Sequence, residues 1–133
     1  MLDRMIVSSS VHLTLGMVVL LVTLLAMVLT GFLAWRGRVM SRTAQGVVIL
    51  AQLVLMAQVL VGIKLLDQGA GPLQLYIHYI GGLAPLAGFL VLSWWPIRDP
   101  HRRSRVMALA TTGAFIFALL TFTIGEAYAR GRL

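Results

Sequence analysis

Cysteine is absent from this chain of 133 residues, and acidic residues are scarce. Without a thiol there is no disulfide, no thiol catalysis and no cysteine-ligated metal or cluster. Charged residues of all kinds make up 11% of the chain, against roughly 25% in an average globular domain. The sequence also contains no phosphate-binding loop, no catalytic triad and no standard metal motif. Few side chains are therefore left that can carry chemistry.

Apolar residues dominate what is present. They make up 59% of the chain, which is more than a soluble fold of this size can bury, whereas lipid can accept it. Four apolar runs each reach the roughly 20 residues that a helix needs to span the hydrocarbon core. The first run is too long for the apolar part of a signal peptide, so we expect it to be retained. The four predicted spans are about 11–34, 44–66, 73–95 and 106–128.

The fold class that follows is all-α. Helices are required because a backbone in lipid must satisfy its own hydrogen bonds, and the alternation typical of barrel strands is missing. The connections between the runs are short, which favours antiparallel neighbours. We therefore predict one domain over 1–133, an integral membrane four-helix bundle of up-down topology.

The basic residues predict the orientation of this bundle. Of the eleven Lys and Arg, seven lie in or beside the first and third connections, and the positive-inside bias places these connections in the cytoplasm and both termini outside. The three Trp fall at the cytoplasmic ends of the runs and the three Tyr towards the outer ends. The same bias explains the formal charge of +7 without nucleic acid as a partner. The seven arginines are Arg36, Arg38, Arg42, Arg98, Arg102, Arg103 and Arg105.

Two histidines near the outer ends of the first and third runs are the main candidates for chemistry. Ionisable residues within spans are costly and usually face the bundle interior. Because helices one and three can lie diagonally opposite each other, we expect His12 and His78 to ligate one haem iron from both sides. Gly16 and Gly82, each four residues further on, would leave room for the porphyrin edge. The basic residues expected to pair with the haem carboxylates are Lys64, Arg4 and Arg130.

A structural role for the same residues is the alternative. Glycine at a helix interface is ordinary membrane packing, and His12, which follows three serines, would then lie among lipid headgroups. Counted from the tryptophans, the two histidines also differ in depth by roughly 10 Å, unless the first helix tilts or overhangs.

Three further polar residues have lesser expected roles. Glu126 would transfer protons near the site or, as we favour, pair with Lys64 or Arg130. Gln58 would make an interhelical hydrogen bond or line a quinone or haem pocket. His101 is expected to be a solvated loop residue.

On either side of the second connection, Gln58-Val-Leu-Val-Gly62-Ile-Lys-Leu-Leu66 is followed by Leu73-Gln-Leu-Tyr-Ile-His78. This pattern resembles haem A synthase. In that family such a segment leads to a helix that opens with a haem-ligating histidine. The resemblance implies that His12 and His78 are the axial ligands of one four-helix half. The chain has one half where the family has two, and it lacks the family's Glu before the first histidine and its outer-loop cysteines. The resemblance therefore supports a haem-binding bundle more than haem A synthesis.

Two functions from different classes are thus expected from the sequence. One is a haem b protein of the prokaryotic plasma membrane, acting in electron transfer or in respiratory cofactor assembly, with a quinol or a subunit of a respiratory complex as its partner. The other is a structural subunit or assembly partner of a larger respiratory or photosynthetic complex, without a cofactor, in a homo- or hetero-oligomer. Whether the chain is an enzyme stays open.

Overall fold

A computed structural model describes residues 6–69 and 76–132, and these residues form four α-helices. The predicted all-α class is therefore confirmed. Each helix is long and apolar enough to cross a membrane, by its length and composition. The helices are α1 (Ser9–Trp35), α2 (Arg42–Asp67), α3 (Tyr76–Trp94) and α4 (Pro100–Ala129).

Most helix boundaries lie within two residues of the predicted spans, but α4 begins six residues earlier than predicted. The sequence has a start signal there: the Asp99 side chain caps the helix by accepting a hydrogen bond from the backbone amide of His101 (3.0 Å), and Pro100 occupies the first turn. His101 therefore belongs to a helix rather than to a loop, although it is exposed as expected. Residues 73–75 of the third predicted span lie outside the described residues.

Glycine ends three of the four helices. Gly37, Gly69 and Gly131 follow α1, α2 and α4 with φ values of +61°, +73° and +66°, a conformation that costs other residues more. At the end of α1 the amide of Gly37 donates to the carbonyl of Ala34 (3.1 Å) and the amide of Arg38 donates to that of Leu33 (2.8 Å). This pair of bonds is a Schellman motif, which stops α1 and turns the chain towards α2.

Each helix packs against two neighbours, so the four helices form a ring, and the extent of packing differs between the neighbouring pairs. α1 packs extensively against α4 and α2, and α3 packs mainly against α4. The seam between α2 and α3 has the fewest contacts of the four neighbouring pairs. Because α1 and α3 are not neighbours in this ring, they lie diagonally opposite each other.

Buried positions recur at alternating steps of three and four residues. This period of about 3.5 residues is that of coiled-coil-type packing, in which one stripe of each helix faces its partners. The stripe comprises residues 16, 19, 23, 26 and 30 of α1, residues 44, 48, 51 and 55 of α2, and residues 104, 107, 111, 114 and 118 of α4.

The most deeply buried side chains are small or carry a hydroxyl, whereas most large apolar side chains face outwards. Thr30 and Thr111 are 0% exposed, and their hydroxyl oxygens lie 2.7 Å apart between α1 and α4. Each hydroxyl also lies within 2.9 Å of the carbonyl four residues before it, so both hydroxyls are satisfied without water. Leu21, by contrast, is 68% exposed. This distribution is the reverse of a soluble core and is typical of helices that pack within lipid.

Candidate functional site

His12 and His78 meet at one end of the bundle, where α1 and α3 begin and α2 and α4 end. We call this the histidine end, and the opposite end, where α1 and α3 finish at Trp35 and Trp94, the tryptophan end. The two imidazole centroids are 6.1 Å apart, with their planes inclined at 59°. The depth mismatch of roughly 10 Å expected from the sequence therefore does not separate the rings. Each histidine lies in the first turn of its helix, so the extra length of α1 is taken up by tilt or at the tryptophan end.

His12 packs against two residues of α2 that are one turn apart. Its Nε2 lies 3.3 Å from the side-chain nitrogen of Gln58. A Cβ placed on Gly62 would stand 3.2 Å from Cε1 of the same imidazole, so the absence of a side chain at Gly62 is what admits the ring. Of the two roles expected for Gln58, the interhelical hydrogen bond is confirmed.

His78 makes the equivalent pair of contacts with α4. Its Nδ1 lies 3.0 Å from the backbone carbonyl oxygen of Thr121. A Cβ on Gly125 would stand 3.0 Å from Cε1 of the ring, so a larger residue there would require the imidazole to shift. Each histidine therefore contacts a hydrogen-bonding residue and, four residues later, a glycine on the next helix. The two helical hairpins, α1–α2 and α3–α4, repeat the same arrangement.

The contact residues continue the buried stripes of their helices. After Leu55, steps of three and four residues along α2 lead to Gln58, Gly62 and Leu65. After Ala118, the same steps along α4 lead to Thr121 and Gly125. This period can be read in the sequence, and it is the signal that places Thr121 at the site.

The glycines of α1 and α3 have different surroundings from those expected. Gly16 is buried, and a Cβ on it would lie 3.2 Å from the Phe122 ring and 3.4 Å from the Gln58 side-chain nitrogen. On α3 it is Gly81 that is buried, against the Thr121 side chain. A Cβ on Gly82 would have nothing within 4 Å. Gly81, rather than Gly82, is therefore the packing counterpart of Gly16, and contact between Gly82 and a bound group stays a prediction.

Four charged residues at the histidine end form two ion pairs. Nζ of Lys64 lies 2.6 Å from an oxygen of Asp67, and Arg130 lies 2.6 Å from Glu126. The expectation that Glu126 pairs with a basic neighbour is confirmed, with Arg130 as the partner. The predicted pairing of Lys64 with haem carboxylates would compete with Asp67, and Arg4 lies outside the described residues.

The N-terminal segment is tied to the end of α2 beside this site. The side-chain amide of Gln68 accepts from the backbone amide of Val7 and donates to its carbonyl, both at 2.8 Å. This two-point contact joins the start of α1 to the end of α2, and so holds the hairpin that carries His12 closed.

Hydrogen bonding leaves one nitrogen of each imidazole available. A backbone carbonyl only accepts, so Nδ1 of His78 carries the proton and its neutral ring has a lone pair on Nε2. Nδ1 of His12 and the side-chain oxygen of Gln58 are buried and have no hydrogen-bond partner among the described residues. If the Gln58 amide is flipped, its oxygen faces His12 and its nitrogen becomes the unpaired atom, but Nδ1 of His12 still has no partner. Unpaired buried polar atoms are uncommon, and two of them occur together here.

The donor set and its spacing fit a metal held between two imidazoles. Two imidazoles that bind one ion from opposite sides through bonds of about 2 Å have centroids roughly 6 Å apart. Among residues 6–69 and 76–132, no third His, Cys, Asp or Glu completes a metal-binding cluster. A four-coordinate zinc site of protein ligands is thus not formed by these residues, whereas a macrocyclic metal group needs only two axial ligands.

Comparison with protein-family models, with curated proteins and with solved structures finds no match for this chain. The resemblance to haem A synthase therefore stays a prediction from the quoted residues.

Proposed function

We propose that this protein is a membrane-embedded haem b protein in which His12 and His78 are the two axial ligands. The observation that carries the proposal is the pair of imidazoles 6.1 Å apart on diagonal helices. Its relation to one half of haem A synthase is part of the proposal, as is a role in electron transfer or respiratory cofactor assembly.

The residues around the two rings would have separate tasks. The carbonyl of Thr121 keeps the proton of His78 on Nδ1, which leaves the Nε2 lone pair for a metal, as hydrogen-bonded ligand histidines are usually held. Gln58 orients His12. The apolar bundle beneath both rings limits the access of water. A bound haem would supply one-electron transfer, with its potential set by these ligands and their surroundings.

The membrane location of the proposal is supported by the outward-facing apolar side chains and the four helices of sufficient length. We further propose that the tryptophan end, with its seven arginines, faces the cytoplasm of a prokaryotic cell. The haem would then lie near the outer face, and a quinol or a partner subunit would exchange electrons there.

Orientation is tested with single cysteines, because the natural chain contains none. Arg36→Cys and Arg102→Cys are exposed positions at the tryptophan end, and Arg132→Cys is exposed at the other end. In intact cells, an impermeant maleimide should label Arg132→Cys alone. Labelling of the two cysteines at the tryptophan end would reverse the proposed orientation.

Haem binding is tested by the visible spectrum of the protein purified in detergent from haem-replete cells. The expected result is a Soret band that sharpens on reduction and is lost in both His12→Ala and His78→Ala. His101→Ala is the matched control, because it removes an exposed histidine at the far end of the bundle, and it should keep the spectrum. A colourless, well-folded protein would overturn the proposal.

A second candidate function, a structural or assembly subunit without a cofactor, is favoured by the close packing of the site. The imidazoles already fill the space above Gly62 and Gly125, and Gly16 lies against Phe122 directly below. A porphyrin would require these helices to separate, most readily at the sparsely packed α2–α3 seam. In this alternative the histidines serve only as interhelical hydrogen-bonding groups. The same purification distinguishes the two, because His12→Ala and His78→Ala would then lower stability without any spectral change.

A further inference from the structure

The arginines of the tryptophan end have no carboxylate to pair with in the described part of the chain. Both ion pairs found among residues 6–69 and 76–132 lie at the histidine end. The nearest acidic residue in sequence, Asp99, uses its side chain to cap α4. Seven guanidinium groups are thus concentrated at one end of the bundle, which attracts an anion from outside the chain.

Two of these arginines share a cleft between the end of α1 and the start of α4. The cleft has a volume of about 310 Å³. Its lining residues include two arginines, a histidine and a tryptophan, and comprise Ala34, Trp35, Gly37, Arg38, His101 and Arg105. The positive-inside bias explains these arginines without a ligand. Only the fold brings Arg38 together with Arg105, which is 67 positions away.

Local structure fixes both sides of this cleft. The Schellman motif at Gly37 stops α1 and sets the position of Arg38 through its amide bond to Leu33 (2.8 Å). On the other side, the Asp99 cap starts α4 just ahead of His101. The contact between Thr30 and Thr111 (2.7 Å) holds the two helices together nearby. The cleft is therefore built before any ligand arrives, which reduces the entropy lost on binding.

The charges in the cleft select an anion. The end of α1 and the start of α4 contribute helix dipoles of opposite sign, each equivalent to about half a charge, so these largely cancel. The positive charge of the cleft therefore comes from the two arginines. The planar guanidinium group of arginine can donate two parallel hydrogen bonds to the oxygens of a phosphate group. The indole of Trp35 adds a further hydrogen-bond donor.

The exposed apolar face of α1, which begins at Trp35 in the cleft lining, indicates that the phosphate belongs to a lipid. Trp35 is 80% exposed, and Phe32 packs edge-on against it with ring centroids 6.3 Å apart. Further along α1 the exposed apolar side chains continue at steps of three and four residues for about 20 Å, which exceeds one leaflet's share of the hydrocarbon core, about 15 Å. These residues, in order from the cleft, are Trp35, Phe32, Val28, Leu25 and Leu21.

We propose that this cleft binds the phosphate of an anionic phospholipid, with Arg38 and Arg105 as its ligands and with the acyl chains lying along the exposed strip of α1. Basic pockets between transmembrane helices bind anionic lipid headgroups in this way. The proposal requires that the bundle lies in a bilayer, but it does not require that the protein binds haem.

Lipid quenching of Trp35 fluorescence tests the proposal. Trp94→Phe and Trp95→Phe leave Trp35 as the sole tryptophan. The protein is placed in bilayers of phosphatidylcholine that contain a small fraction of brominated phosphatidylglycerol or, in parallel, of brominated phosphatidylcholine. We expect preferential quenching by the phosphatidylglycerol. Arg38→Gln and Arg105→Gln should each reduce this preference roughly fivefold, the change that about 1 kcal/mol per basic residue produces.

Arg36→Gln with Arg102→Gln is the matched control for the double variant Arg38→Gln with Arg105→Gln. It removes the same charge from the same two segments, but neither residue lines the cleft. The control should keep the preference for phosphatidylglycerol. An equal loss in both double variants, or no preference in the starting protein, would overturn the proposal, since diffuse electrostatic attraction would then suffice. Displacement of the quencher by millimolar inorganic phosphate would also overturn it, because the ligand would then be a soluble anion.

Discussion

The two ends of this bundle differ in how their polar groups are satisfied. At the histidine end, the imidazoles of His12 and His78 make hydrogen bonds to the Gln58 side chain and to a backbone carbonyl of α4. Four charged side chains there form two ion pairs. Two buried polar atoms, on His12 and Gln58, remain without a partner among the described residues. At the tryptophan end, the buried threonine hydroxyls are satisfied within the helix pair. Among the described residues of that end, only the side-chain oxygen of Ser104 is buried without a hydrogen-bond partner. The arginines of that end are exposed and have no ion-pair partner among the described residues.

This difference separates two physical tasks. Close packing of threonine and alanine between α1 and α4 holds the helices together, since van der Waals contact and interhelical hydrogen bonds drive association in lipid. The histidine end gives up some of this packing to admit two imidazoles above glycines. Unsatisfied polar atoms are costly in an apolar setting, and at the histidine end two of them, on His12 and Gln58, lie on residues that contact each other. This pair marks the histidine end as the candidate for binding a ligand within the bundle. The tryptophan end, where the arginines are exposed, is suited to ligands from the membrane surface.

The largest effect is expected from Gly81→Ala at the histidine end. The new Cβ would overlap the Thr121 side chain, and such overpacking costs about 1–3 kcal/mol of unfolding free energy. The measurement is unfolding of the protein in mixed micelles, followed by circular dichroism. Gly82→Ala is the matched control and should lose nothing, because no side chain of the described residues on another helix lies within 4 Å of its Cβ position. Equal losses at the two positions would show that glycine matters here for the backbone rather than for space.

A second substitution at Thr121 tests whether its side chain causes the loss of stability in Gly81→Ala. Thr121→Ala removes the hydroxyl that Gly81→Ala would meet but keeps the backbone carbonyl that binds His78. The double variant should therefore recover most of the unfolding free energy lost in Gly81→Ala. If it does not, the clash with the Thr121 side chain is not the cause of the loss.

Gly37→Ala should have the next largest effect, at the tryptophan end. Its φ of +61° is left-handed, and an alanine there costs about 1–2 kcal/mol. Gly31→Ala lies inside α1 with nothing within 4 Å of its Cβ position, and it should be tolerated. Both variants are compared in the same unfolding assay. An unaffected Gly37→Ala would mean that α1 can end without its Schellman motif.

The hydrogen bond between Thr30 and Thr111 should contribute less. A double-mutant cycle with Thr30→Val and Thr111→Val isolates the coupling between the two side chains, and for a bond between membrane helices we expect about 0.6 kcal/mol. The valines keep nearly the same volume, so the packing of α1 against α4 should survive. A coupling near zero would mean that packing alone joins the helices at this end.

The smallest effect is expected for Glu126→Gln. Its ion pair with Arg130 is exposed, with 39% and 57% of the two side chains accessible, and such pairs contribute less than about 0.5 kcal/mol. The unfolding free energy should therefore hardly change. If the haem proposal is correct, the visible spectrum should not change either. A clear spectral shift would contradict the structural role and restore the expectation that Glu126 acts at the site.

Sequence alone determined the helical class, the number of helices and most of their ends. Apolar runs long enough to cross a bilayer permit few other folds, and glycine, Asp99 and Pro100 act as local start and stop signals. It also singled out His12 and His78, because an ionisable residue within an apolar run is costly wherever the run packs.

Only the tertiary structure decided which residues those histidines contact. The relative depth of α1 and α3, the choice of Gly81 over Gly82 and the contact with the Thr121 carbonyl all depend on how the helices rotate and slide against one another. A single-residue rotation of about 100° exchanges one glycine for the next, and composition does not resolve it. The cleft of Arg38 and Arg105 has the same origin, since the sequence shows two basic segments and packing alone brings them together.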